Sequence, residues 1–222
     1  QIEEPSALRW SKLMKQAASG LLGCFSAGMI LSAIQGLMPA LFIDLFHNKS
    51  QVAQYMFAII FGGMLLQYPL GRVSDVFERR LVLIIINLIT IVLAMASMTH
   101  LQTDWVFFVL MIVFGGLTFT MYPISISHAC DALESKDIIA GTQSLLLAYS
   151  VGAVLGPLVA PIFIHIFGIN GLFVYYIAIC GAVIPLLILR KAQKANIPQE
   201  ETFITMPQTT PIMSELDPRS ED

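Results

Sequence analysis

Few side chains in this sequence are placed to do chemistry, and their spacing is poor for catalysis. The polar groups embedded in otherwise apolar runs are Gln35, Gln67, Asn87, Gln143, Tyr149 and His165. His165 falls near the end of its run and reads as interfacial, and Asn87 reads as a hydrogen-bonding packing residue. Gln35 and Tyr122 lie nearer mid-run and are the better placed to touch a small-molecule substrate. An ionisable group deep in apolar surroundings is by default a functional hypothesis, but no embedded carboxylate is present. The densest cluster, His128-Ala129-Cys130-Asp131, lacks a second ligand group, whereas a zinc site wants about four ligands at suitable spacing. It reads as a polar helix end. The chain also has no Walker A loop, HExxH, GxSxG or TVGYG motif. No catalytic residue, metal or cofactor is expected, and an intramembrane enzyme built on His128 and Asp131 is the remotest alternative.

The elements that must position these residues follow from composition. Of 222 residues, 56% are hydrophobic and 12% charged, about half the charge of a soluble domain, and the mean hydropathy is +0.76. Most of the surface must face lipid. A net charge of −3 gives no support to nucleic-acid binding. Cys24, Cys130 and Cys180 are far apart and in or beside apolar runs, so they read as small buried residues.

A bilayer core of about 30 Å takes roughly 20 apolar residues per helix. Six runs qualify, at about 16–43, 52–70, 81–99, 105–127, 138–167 and 170–189. Arg9, Lys12, Lys15, Arg72, Arg79, Arg80, Lys136, Arg190, Lys191 and Lys194 then fall on one side and only Lys49 on the other. By the positive-inside rule the first side is cytoplasmic, and so are both ends of the chain. Residues 1–15 read as a cytoplasmic linker with Trp10 as interfacial anchor, and 16–190 as the membrane domain. Residues 191–222 read as a disordered acidic cytoplasmic tail, since 195–222 hold four Pro, six acidic residues and a lone Arg219. Gln1 suggests a chain that begins inside a longer protein.

The runs are not alike. In the first, Gly28, Ser32 and Gly36 recur every fourth residue beside Gln35, and Pro39 follows. In the fourth, Gly115, Thr118, Tyr122 and Ser125 share a face, and Pro123 breaks the backbone ladder. Matched Gly/Pro interruptions in corresponding helices of inverted repeats point to a solute site, and tighter packing is the plainer alternative. The fifth run places Ser144, Ala148, Gly152, Gly156 and Ala160 at every fourth position, a groove for close helix approach, with Pro157 and Pro161 beside it. The third and sixth runs are the plainest and suit lipid contact over much of their circumference.

The stretch GRVSDVFERR, residues 71–80, lies between the second and third runs. It resembles the loop signature of the major facilitator superfamily, Gly-x-x-x-Asp-Arg/Lys-x-Gly-Arg/Lys-Arg/Lys. Gly71, Asp75, Arg79 and Arg80 match, while Val76 and Glu78 depart from the pattern, as in the degenerate copy of the C-terminal half. Gly152-x-x-x-Gly156-Pro157 resembles the family's glycine-proline signature. GLMPALF, FGGLTFTMYPISISHAC and LLLAYSVGAVLGP resemble the bacterial YcaD-like subgroup, and the resemblance covers roughly residues 16–190.

The resemblance implies an all-α polytopic membrane protein of the bacterial inner membrane, with six transmembrane helices as two inverted three-helix repeats. These would be the seventh to twelfth helices of a twelve-helix secondary transporter. The first and fourth would line a cavity through Gln35, Gly36, Thr118, Tyr122 and Ser125, the second and fifth would meet the other half, and the third and sixth would support from outside. The gating set would be Gly71, Asp75, Arg79, Arg80, Gly152, Gly156 and Pro157, acting as a latch between halves. Physically, Gly71 would let two helix ends approach, and Asp75 would cap the third helix. The expected partners are the bilayer, a small solute, a coupling proton carried elsewhere in the complete protein, and an N-terminal half or second copy. A non-transporting membrane scaffold or receptor with the same fold is the alternative.

Overall fold

In the computed structural model, residues 17–100, 104–133 and 137–195 are described. The expected linker over 1–15 and nearly all of the expected tail over 191–222 lie outside them. Six α-helices run in order: α1 Ala18–Phe46, α2 Lys49–Val76, α3 Arg79–Thr99, α4 Asp104–Cys130, α5 Ile138–Phe167 and, after a 3-10 turn at Gly168–Asn170, α6 Gly171–Ala195. The described residues contain five stretches long and apolar enough to cross a membrane, the last being Ile138–Leu189. The chain is an all-helical, polytopic membrane protein.

That last stretch is 52 residues long and as one helix would measure about 78 Å, more than twice a hydrocarbon core. Gly168 divides it. Its φ of 63° and ψ of −137° suit glycine and few other residues. α6 then starts hard against the end of α5, where a β-carbon on Gly171 would collide with the carbonyl of Phe163. At the first reversal His47 takes a left-handed φ of 52°, and the Asn48 side chain accepts the Ser50 N–H at 2.9 Å to cap α2.

The helices outrun their apolar runs. GRVSDVFERR is not a loop: α2 continues to Val76, α3 begins at Arg79, and only Phe77 and Glu78 connect them. Nothing between Gly71 and Val76 stops a helix, and polar residues mark where the hydrocarbon ends, not where backbone hydrogen bonding ends.

Two glycine crossings organise the packing. α1 lies in the small-residue groove of α5: a β-carbon on Gly28 would collide with the Tyr149 carbonyl, and one on Gly152 or Gly156 with the carbonyls of Phe25 or Met29. α2 crosses α4 in the same manner, Gly62 against the Ile112 carbonyl and Gly115 against the Ile59 carbonyl. Besides these crossings, α4 packs on α1 and α3, and α6 on α3, α5 and α1.

α6 departs from the plain lipid-facing span its hydropathy suggests. Phe173, Tyr175 and Tyr176 on one face are fully buried, and the Tyr175 hydroxyl donates to the Met29 carbonyl of α1 at 3.2 Å. Its other face, with Leu186, Ile188 and Leu189, is exposed. Average apolarity does not distinguish a lipid-facing side from a packed aromatic one.

Candidate functional site

Between α1, α2, α4 and α5 lies a cavity of about 560 Å³. α1 contributes Leu31 and Gln35, α2 contributes Gln67, and α5 contributes Tyr149. α4 supplies the remaining wall, Phe119, Tyr122, Pro123, Ile126 and Ser127. The Tyr122 and Tyr149 rings meet at 4.5 Å between centroids, tilted by 49°. The glycine crossings explain the placement. Gly28 against Tyr149 brings α5 close enough to α1 for its tyrosine to reach α4, and Gly63 against the Phe119 ring holds α2 on the other flank.

The expected site residues separate into two groups. Gln35 and Tyr122 share the cavity. Gly36 is exposed next to Gln35, and a β-carbon there would meet nothing within 4 Å. Thr118 and Ser125 are fully buried and outside the lining. The Thr118 hydroxyl donates to the Phe114 and Gly115 carbonyls at 2.9 and 3.1 Å, and Ser125 donates to the Met121 carbonyl at 2.7 Å. A hydroxyl on an otherwise apolar helix satisfies itself on the preceding turn when no other partner reaches it.

Sequence reasoning did not select Gln67, Tyr149, Ser127 or Phe119. Gln67 and Tyr149 were visible as embedded polar residues, but on the helices assigned to contact the other half. The signal that could have found them is their position beside the glycines at which α2 and α5 cross α4 and α1.

The cluster around residues 71–80 also differs from expectation. A β-carbon on Gly71 would meet nothing within 4 Å, so no close approach between helix ends is made there among the described residues. Asp75 does not cap α3, whose N-cap Glu78 makes no side-chain capping bond. Because α2 continues to Val76, Asp75 sits in its last turn and accepts from Arg79 Nη2 at 3.1 Å. Arg79 Nε reaches Asp131, just past α4, at 3.2 Å. Arg80 is buried, with Nη2 3.5 Å from Ser19 Oγ, and Ser19 Oγ lies 2.8 Å from His128 Nε2. Both arginines thus tie together helix ends of this chain. Gly152 and Gly156 form the α1 crossing, and Pro157 is half-buried beside it within continuous α5.

His128, Cys130 and Asp131 face three different neighbours, Cys130 Sγ lying 4.0 Å from Thr142 Oγ1. No group of three potential metal ligands occurs among the described residues.

The Major Facilitator Superfamily profile matches residues 20–215. A protein named Uncharacterized MFS-type transporter YcaD from Escherichia fergusonii is 30% identical over 185 residues, which is 83% of this chain and 47% of the relative. Proteins of the same name from Salmonella paratyphi B and Salmonella newport are each 31% identical over 198 residues, 89% of this chain and 50% of theirs. The chain spans about half the length of the curated relatives it matches, and no solved structure matches it. The relatives are named as transporters, and the chain is not an enzyme. The glycine crossings, the proline-interrupted helices around a polar cavity and the match over residues 20–215 agree: the chain belongs to the Major Facilitator Superfamily.

Proposed function

We propose that this chain supplies one half, the C-terminal six helices, of a secondary transporter that moves a small solute by alternating access across the bacterial inner membrane. The observation that carries the reading is the cavity, where Gln35, Gln67, Tyr122 and Tyr149 converge from four helices. Gln35 and Gln67 are both exposed in the isolated chain, as expected of a wall whose opposite side comes from an N-terminal half or a second copy. Exposed apolar faces on α2 (Phe57, Met64, Leu65) and α5 (Val151, Val154, Leu158) flank it and suit that partner.

Six membrane crossings as two inverted repeats account for the packing. Exchanging α1, α2 and α3 with α4, α5 and α6 turns the α1–α5 crossing into the α4–α2 crossing. It also turns α3 against α4 into α6 against α1 and leaves the α1–α4 and α3–α6 contacts as themselves. Both ends are cytoplasmic in this reading, residues 1–15 link to the other half, and a coupling proton is carried there. Asp75, Arg79 and Arg80 serve the cytoplasmic gate by holding the ends of α1 to α4 as one rigid unit, and Gly71 leaves the surface beside them open to the other half.

The test is cysteine access. Gln35→Cys and Tyr122→Cys variants of the complete transporter are expected to react with a membrane-impermeant maleimide from either side, in a ratio that changes when a pH gradient is imposed. Access from one side only, or none, unaffected by any gradient, would favour the scaffold alternative.

A further inference from the structure

We propose that this cavity takes an uncharged solute that is rich in hydrogen-bonding groups and carries one apolar face. The inference rests on the cavity being the transport site and adds the chemical class of its occupant.

Hydrogen-bonding capacity left open in the wall is the first observation. Elsewhere in the helices, the hydroxyls of Ser26, Ser32, Thr90, Ser97, Thr118, Thr120, Ser125, Ser144 and Ser150 all donate to backbone carbonyls of their own helix. The amides of Gln35 and Gln67, the phenols of Tyr122 and Tyr149 and the Ser127 hydroxyl have no such partner among the described residues. The Tyr176 hydroxyl and the Asn87 and Asn170 amide oxygens are also without a partner but are buried singly elsewhere, whereas these five polar side chains line one hollow, where a ligand can complete them.

Proline adds acceptors at the same place. A residue four positions before a proline loses the amide that would bond its carbonyl. Pro39 does this to Gln35 and Pro123 to Phe119, and both of those residues line the cavity. One lining residue on α1 and one on α4 therefore have a backbone carbonyl without its usual helical donor. With the glutamine amides and the three hydroxyls, the wall offers donors and acceptors alike, and the matching ligand carries several hydroxyl or amide groups that can do both.

This wall carries no charge of its own. No lining residue is ionisable as an acid or a base at neutral pH. Arg72 of α2 lies over the Tyr68 ring, 4.8 Å from its centroid. Next to Ser127, His128 is held by Ser19. Asp44 lies nine residues beyond Gln35 on α1, and α5 has no charged residue between its Asp137 cap and His165. This wall therefore has no counter-charge to repay the desolvation of an ion. The rings of Phe119, Tyr122 and Tyr149 offer an apolar surface for one face of a neutral molecule.

Phenyl hexosides in the gluco, galacto and manno series test the class, as three matched pools: uncharged glycosides, amino-substituted glycosides and uronides. The complete transporter carries Ser127→Cys with Cys24, Cys130 and Cys180 replaced by Ala, and a polar maleimide reads access to the cavity. The uncharged pool is expected to slow labelling by about threefold or more at saturation, with the two charged pools inactive. Gln67→Leu is expected to raise the concentration that gives half-maximal protection by about tenfold, the loss of one good hydrogen bond. Gln35→Cys serves as reporter should Ser127→Cys fail to insert. Labelling absent at both reporters would overturn the transport-cavity reading itself. Labelling that no pool slows, or that a charged pool slows as well as the uncharged one, would leave the cavity standing and overturn the proposed class.

Discussion

Asp75 and Arg79 show how position within a helix changes what a residue can do. A carboxylate in the last turn of α2 faces the negative end of that helix, and Arg79 offsets this at 3.1 Å across the two-residue connection. Asp75 is 66% exposed, so its pair contributes about 0–1 kcal/mol. Arg79 is 23% exposed and also holds Asp131, so it joins the start of α3 to the end of α4. Asp75→Asn is therefore expected to lower the thermal midpoint in detergent slightly, and Arg79→Gln to lower it more, with both effects shrinking in high salt. Equal effects, or no salt dependence, would show that the arginine does not work through these two bridges. The types and order of these residues were legible in the sequence. Their partners were not, because the register of Asp75 depends on where α2 ends, and hydropathy marks the edge of the apolar run several residues too early.

At the scale of elements, the glycines divide into those at which another backbone arrives and those that face open space. Gly28, Gly62, Gly115, Gly152 and Gly156 belong to the first kind, and Gly36, Gly71 and Gly181 to the second. An added methyl at a crossing pushes two helices apart, an overpacking cost of about 1–3 kcal/mol. At an open helical position Ala is the better helix former by about 1 kcal/mol. Gly152→Ala and Gly115→Ala are thus expected to reduce the thermal midpoint, and Gly181→Ala to leave it unchanged or raise it. Thermal unfolding of the purified variants in one detergent checks both directions. The fourfold spacing of the α5 groove could be read without coordinates. It did not say that α1 would fill that groove, nor that Gly36, in register with Gly28, would lie beyond the crossing.

For the whole molecule, the arrangement of basic residues places the connections of one side together. Ser50 lies in the first turn of α2 and Arg72 near its other end, the end expected to be cytoplasmic. About 22 residues of helix separate them, roughly 33 Å, enough to span the hydrocarbon. An impermeant maleimide applied to intact spheroplasts is expected to label Ser50→Cys and to reach Arg72→Cys only after lysis, and the reverse pattern would invert the topology. The apolar runs could be inferred residue by residue, because each helix satisfies its own backbone and meets lipid or protein through its own composition. Which face of a helix is covered depends on the neighbour that arrives there. The same average hydropathy describes the buried Tyr175 and Tyr176 and the exposed Ile188 on α6, and the same mid-helix polarity describes Thr118, closed on its own backbone, and Gln67, open to the cavity. Local solvation in a bilayer can be read from linear sequence, whereas the partner of a polar side chain is a property of two or more helices packed together.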